Sequence, residues 1–214
     1  MEIDLLMLPK IERDTKERAR TKTEEQIRTS KKFGWEFFDK RGVCYDGYIY
    51  DGRWIPVVKG FAEYYNLSKS SKVLDVGCAK GYLLYDLKQL IPSVHIAGID
   101  ISEYAINCAP PEIKDDLFVA DARDLAMFGD KEFDLAISLN VIHNFGEDEC
   151  RQAVREIQRV SKKSYIVVDA YRNDYEKERL FEWVLTAETI LSVDQWEKLF
   201  REEGYTGDYY WTTP

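Results

Sequence analysis

From Lys72 to Ala170, short and continuously apolar runs alternate with amphipathic stretches of helical period, and this alternation constrains the fold more than any other feature of the chain. "SKVLDVG", "VHIAGID", "DLFVAD", "FDLAISL" and "SYIVVDA" read as strands. Between them, "GYLLYDLKQLI" repeats its apolar residues every 3.6 positions and stops at Pro92. "SEYAINCA" opens on Ser102 as an N-cap and ends before Pro110-Pro111, and "EDECRQAVREIQRV" is amphipathic. Strands that are apolar on both faces and separated by helices predict a parallel sheet covered on each side.

The tail breaks this rhythm. "DYEKERLFEWV" predicts a helix, "LTAETIL" alternates like a strand, "SVDQWEKLFREEG" is a capped helix closed by Gly204, and "YTGDYYWTT" is a last strand. Two strands around one helix predict an antiparallel edge. The expected architecture is therefore α/β and Rossmann-like, with seven mostly parallel strands, an antiparallel final strand and helices on both faces. Ahead of it lie a helical arm from about Asp14 to Phe38 and an aromatic segment, "CYDGYIYDGRWIP". Residues 1–60 are expected to form this arm and lid, and residues 61–214 the main domain.

Charge and cysteine usage narrow the function. Residues 1–42 carry eleven Lys/Arg against nine Asp/Glu, which leaves −11 on the rest of a chain of net charge −9. The arm's signs alternate as on a solvated helix face, and the acidic body repels a polyanionic backbone, so nucleic acid is not the expected partner. Cys44, Cys78, Cys108 and Cys150 are scattered, with no CxxC pair and no histidine cluster, which disfavours both a metal site and disulfides. No apolar run approaches the ~20 residues of a membrane span, and "MEIDLLMLPKIERD" places acids where a signal peptide carries positive charge. A cytoplasmic monomer or homodimer without membrane contact is expected.

In such a sheet, ligands bind at the carboxyl ends of the strands. The stretch "VLDVGCAKGYLL" puts a strand, an acid, small residues at Gly77, Ala79 and Gly81, and a helix in that order. A dinucleotide fingerprint would need glycine where Ala79 and Tyr82 stand, and Asp75 would repel a pyrophosphate. A positively charged ligand suits these acids better. Asp75-x-Gly77-x-Ala79-x-Gly81 resembles the first motif of the class I S-adenosylmethionine-dependent methyltransferases, with alanine for the usual middle glycine. Asp100 and Asp121 end the next two strands where that family places acids.

The resemblance spans about Lys72 to Thr213 and implies S-adenosylmethionine as cofactor. Asp75, Gly77, Cys78 and Gly81 would bind it at the glycine turn, with the backbone near Asn140 in "SLNVIHNF" holding its methionine end. Asp100 would take the ribose hydroxyls beside Ile101, and Asp121 the adenine amino group beside the backbone of Ala122. A nucleotide-dependent oxidoreductase, or a cofactor-binding protein that has lost catalysis, are the alternatives.

For the methyl acceptor, the segment after the fourth strand lacks the Asn/Asp-Pro-Pro-aromatic run of enzymes that methylate base amines, so a small molecule is expected. His143 is the candidate base, unless it packs and bonds backbone. Asp169 and Tyr50 are further catalytic candidates. Tyr171 and Arg172 after the fifth strand, with Tyr48, Arg53 and Trp54 of the aromatic segment, are candidate acceptor contacts. Arg172 either forks onto an anionic group or forms a surface ion pair. Tyr45, Tyr48, Tyr50, Asp51, Arg53 and Trp54 would make a water-excluding lid, or simply glue the arm to the sheet. "FGWEFFD" and "GYTGDYYW" resemble bacterial methyltransferases of surface-polysaccharide and nucleotide-sugar gene sets, which implies O- or N-methylation of a polar, phosphorylated or nucleotide-sugar-type metabolite.

Overall fold

The computed structural model describes residues 1–7, 12–45 and 48–213. Asp46 and Gly47 of the aromatic segment and residues 8–11 of the amino-terminal stretch lie outside the described residues. Strands β1 (Lys72–Val76), β2 (His95–Asp100), β3 (Leu117–Val119), β4 (Phe133–Leu139) and β5 (Ser161–Tyr171) form a parallel sheet in the order β3-β2-β1-β4-β5. Chain order reverses between β1 and β4, which opens a crevice at their carboxyl ends. The free edge of β5 is shared. Strand β7 (Asp208–Thr212) pairs with Tyr165–Asp169, and the two-residue β6 (Leu191–Ser192) pairs with Ala170 and Tyr171.

Continuous burial along β1, β4 and β5 reflects helices on both faces. On one side, α7 (Glu147–Val160) buries Cys150, Ala153, Val154, Ile157 and Val160, a stripe at helical spacing. It shares that core with Trp196, Leu199 and Phe200 of α9 (Val193–Glu202). On the other side, α4 (Trp54–Tyr65) and α5 (Tyr82–Leu90) press Val57, Val58, Phe61, Leu83, Leu84 and Leu87 onto Leu135, Ile137, Tyr165 and Val167. The short α6 (Glu103–Asn107) is capped by Ser102, whose hydroxyl accepts from Ala105 N.

Two expectations for the tail need correction. The final strand runs parallel to β5, not antiparallel. The ten residues of α9 stand between β6 and β7 and carry the chain back to the amino edge, roughly 15 Å at helical rise, so the next strand must run forward again. "LTAETIL" does not form a full strand; only Leu191 reaches the sheet. Its backbone bonds go instead to the loop after β4, where Glu188 N and Thr189 N both donate to His143 O, at 2.9 and 3.0 Å.

The arm comprises α1 (Thr15–Thr21), α2 (Glu24–Ser30) and α3 (Trp35–Phe38), the first two capped by Asp14 and Thr23. Helix α1 lies on α8 (Asp174–Trp183): Lys16 pairs with Glu178 and Glu182 at 2.6 and 2.7 Å, and Thr15 donates to Glu182 at 2.7 Å. The boundary expected at residue 60 falls inside α4, whose apolar face belongs to the sheet's own core. Ahead of the arm, the chain start pairs with β7: Ile3 N donates to Tyr209 O at 2.9 Å and Tyr209 N to Met1 O at 3.0 Å.

A candidate active site at the carboxyl edge of the sheet

The turn after β1 is held open by sterics. Gly77, Ala79 and Gly81 have φ of 81°, 52° and 75°. Gly77 N and Cys78 N both donate to Ile99 O at 2.8 Å, which folds the turn back across β2. A Cβ on Gly77 would stand 2.1 Å from Val141 Cγ2, and one on Gly81 would stand 2.8 Å from both Ile113 and Leu117. Those two positions therefore require glycine. Ala79 meets no such obstacle, and its methyl packs with the aromatic residues of the arm, which is why the usual middle glycine is dispensable.

Two acids converge here. Asp100 Oδ2 accepts from Ala79 N and Oδ1 from Ser102 N, both at 2.8 Å, so one carboxylate ties the glycine turn to the start of α6. Burial raises its pKa and the two backbone bonds oppose that rise. Asp75 is buried and pushed up to about 7, by desolvation first and by the Asp100 charge second. A buried and a half-buried carboxylate at one turn favour a cationic ligand. Ile101, next to Asp100, leaves 54% of its surface exposed at the same edge, an apolar face of the kind a nucleobase covers. Two acids at one glycine turn and an exposed apolar neighbour fit the cationic and aromatic parts of S-adenosylmethionine.

The remaining candidates divide. Asn140 follows β4 at φ 58° and donates from its N to Val167 O at 2.8 Å, while its Oδ1 lies 3.1 Å from the Thr212 hydroxyl oxygen, whose one proton goes to the nearer Asp169. Ala122 is buried beside Asp121, whose carboxylate is forked by Arg123 and held below its usual range chiefly by that bond. Asp75, Gly77, Cys78, Gly81, Asp100, Ile101, Asp121, Ala122 and Asn140 thus all stand at or just past the ends of β1 to β4.

His143 does not meet the expectation of a base. It is buried in the turn after β4, and its Nδ1 accepts from Asp169 N at 3.0 Å. Burial depresses its pKa despite the nearby Asp169 charge, so the ring is neutral and carries its proton on Nε2. Such a ring has no lone pair left for an acceptor's proton; it fastens the β4 loop to β5. Asp169 itself is half-buried and accepts at Oδ1 from the Thr212 hydroxyl at 2.7 Å.

In the aromatic segment, Tyr50 donates to Asp86 Oδ1 at 2.7 Å and rests on Tyr82 and Tyr85, with centroids at 5.5 and 5.4 Å. That bond pushes its phenol up to about 12, so Tyr50 anchors the segment to α5. Tyr48 is wedged against Phe37 and Phe38. Trp54 opens α4 and packs on the core, and Arg53 forks onto Asp51 at the surface. Arg172 pairs with Glu2 at 3.1 Å, the surface ion pair rather than a site contact, and Tyr171 lies under Lys177 at 5.4 Å.

Sequence reasoning missed the contacts that bring the arm to the turn. Lys80, only 5% exposed, donates to Asp39 Oδ1 at 2.6 Å, and Tyr104 donates to Asp39 Oδ2 at 2.6 Å. Burial works to raise the Asp39 carboxyl, but the bonds from Lys80 and Tyr104 outweigh it and hold it low. The Ser102 hydroxyl donates to Phe33 O. Farther along, Leu185 N donates to Tyr45 Oη at 2.6 Å, and the Asp169 charge lies close enough to help raise that buried phenol, after burial itself. A charged Lys80 inside an otherwise apolar turn was the available signal.

No metal-binding cluster, no disulfide and no helix long and apolar enough to cross a membrane occur among the described residues. Residues 73–164 match a family described as a methyltransferase domain. No curated protein matches the chain. Among solved structures, the YcgJ protein of Bacillus subtilis is 20% identical over 68% of this chain and 66% of its own, with a TM-score of 0.56. A putative methyltransferase from Bacillus halodurans is 20% identical over 69% and 68%, with a TM-score of 0.57. A SAM-dependent methyltransferase from Archaeoglobus fulgidus is 21% identical over 69% and 67%, with a TM-score of 0.54. The chain spans about two thirds of the length of these proteins, and at such identity the likeness is one of fold. Residues 73–164 thus resemble a methyltransferase domain, and the acid-lined glycine turn among them fits S-adenosylmethionine as cofactor.

Proposed function

We propose that this domain methylates an O or N atom of a polar small molecule, of phosphorylated or nucleotide-sugar type, beneath a lid made by the arm and the aromatic segment. The observation that carries this reading is the docking of the arm on the cofactor turn through Asp39, Lys80, Tyr104 and the Phe33 carbonyl. A wall over the turn favours a compact acceptor over a bulky one and shields the reaction from water. Asp75 and Asp100 hold the cationic and ribose portions of the cofactor, and Asp121 the base. S-adenosylmethionine supplies the electrophilic methyl group.

Transfer is an in-line displacement, so the chain's main task is to position the acceptor, a contribution of ~7–11 kcal/mol where alignment is good. With His143 locked, Asp169 is the carboxylate on the acceptor side that takes or orients the proton, its rotamer fixed by Thr212. An amine arriving neutral needs no stronger base. The test is methyl transfer from labelled donor to a panel of nucleotide sugars, sugar phosphates and phosphorylated amines. Labelled product from this panel is expected. A protein that binds S-adenosylhomocysteine yet labels none of these acceptors would favour the loss-of-catalysis alternative.

A further inference from the structure

We infer that Arg123 sets the nucleoside specificity of the cofactor site, by clamping Asp121 so that its carboxylate presents one acceptor and no donor to a purine 6-amino group. This rests on the reading that places Asp121 at the base of the cofactor. Arg123 meets Asp121 three ways: its backbone N and its Nε each donate to Oδ1 at 2.9 Å, and Nη2 donates to Oδ2 at 2.6 Å. A longer leg from Nε reaches Oδ2 at 3.1 Å. A carboxylate has about four acceptor directions. Both on Oδ1 and one on Oδ2 are taken, so a single direction on Oδ2 remains.

Arg123 is itself fixed from other sides. Its Nη1 bonds Glu149, its guanidinium lies 4.9 Å from the centre of the Phe145 ring, and Gln152 Nε2 donates to its carbonyl at 2.8 Å. The clamp is therefore assembled before any ligand arrives, from α7 and the loop after β4. Its chemical consequence is a preference. An amino group on the purine donates into the remaining direction. A 6-oxo purine brings a carbonyl oxygen against an ionised carboxylate, where neither group donates. Without the guanidinium, Asp121 is free to rotate away from that oxygen, so rejection weakens while recognition of the amino group loses its fixed partner.

The experiment measures Kd for S-adenosylhomocysteine and its deaminated analogue, S-inosylhomocysteine, in the full chain. Wild type is expected to favour the adenosyl ligand by about 10–100-fold, the range for one buried unmatched group. In Arg123→Ala the ratio should fall at least fivefold, mainly through weaker adenosyl binding. Arg123→Lys, which keeps the charge but not the fork, should fall between. In turnover, KM for S-adenosylmethionine should rise in Arg123→Ala while kcat stays within about twofold. Asp121→Asn, whose amide both donates and accepts, should abolish the preference. If Asp121→Asn abolishes it and both Arg123 variants retain it, the clamp is refuted and the placement of Asp121 stands. If no variant changes the ratio, the placement of Asp121 fails and the inference with it. An equal loss for both ligands in Arg123→Ala reports a merely structural role and also overturns it. If Arg123→Ala does not fold, the Arg123→Lys ratio decides.

Discussion

The glycine turn and the arm docked on it touch through Lys80 and Asp39, yet they are held by different forces. The turn is fixed by backbone: positive φ at three residues, two amide bonds to one carbonyl, and side chains packed where a Cβ would otherwise stand. The arm consists of helices of seven, seven and four residues, too short to persist alone in water. It is held by ring contacts among Phe33, Phe37, Phe38, Tyr45 and Tyr48 and by a few side-chain bonds. The turn is thus set by its own backbone, and the arm by side chains that reach it from far along the chain.

The largest effect should come from breaking the rigid half. Gly77→Val forces a branched side chain into φ of 81° and into Val141, and should cost roughly 3–5 kcal/mol or prevent folding. Denaturant unfolding reads this directly. A loss under 1 kcal/mol would mean that the contact with Val141 does not fix the turn.

The docked half should break locally. Lys80→Ala leaves Asp39 with Tyr104 alone and removes a nearly buried ammonium, a change of about 2–3 kcal/mol in arm opening, given the partial exposure of Asp39. Hydrogen exchange should rise across residues 15–38 while β1, β4 and β5 keep their protection. Uniform loss of protection across the sheet would show that the arm is part of the core rather than a separable wall.

Much of the turn was legible in the sequence because backbone constraints leave residue signatures: glycine at Gly77 and Gly81, acids at three successive strand ends, an N-cap at Ser102. The arm's role was not, because Asp39 and Lys80 are 41 positions apart and nothing local pairs them. The direction of β7 was misread for a related reason. Residue types at a sheet edge do not encode strand direction; the intervening α9 does. His143 was singled out by residue type and location, whereas the amide of Asp169 that occupies its lone pair is a tertiary contact.

Asp75 offers a smaller, proton-linked effect on the rigid half. Its pKa of about 7 lies above the unfolded value, so in the free protein its contribution to stability is complete below about pH 4 and is lost as pH rises through about 7. A bound cation favours the ionised form. Affinity for S-adenosylmethionine should therefore rise by up to about tenfold per pH unit below 7 and level off above it. Calorimetry across pH 5.5–8.5 tests this, and a flat profile would remove Asp75 from contact with the cofactor's charge.

The smallest effect belongs to the anchor of the docked half. Tyr50→Phe removes one hydrogen bond to Asp86 at an exposed position and should lower the melting temperature only slightly while kcat stays within tenfold. A larger fall in kcat at unchanged stability would restore Tyr50 to a catalytic role.

The central claim, that the carboxyl edge around Asp75 and Asp100 holds S-adenosylmethionine, is tested most directly by titrating S-adenosylhomocysteine into wild type and Asp100→Ala in a calorimeter. On the proposed role of Asp100 as acceptor for two ribose hydroxyls, binding should weaken by roughly 2–3 kcal/mol, about 30- to 150-fold, in a variant whose unfolding remains cooperative. Unchanged affinity in a folded Asp100→Ala protein would contradict the account.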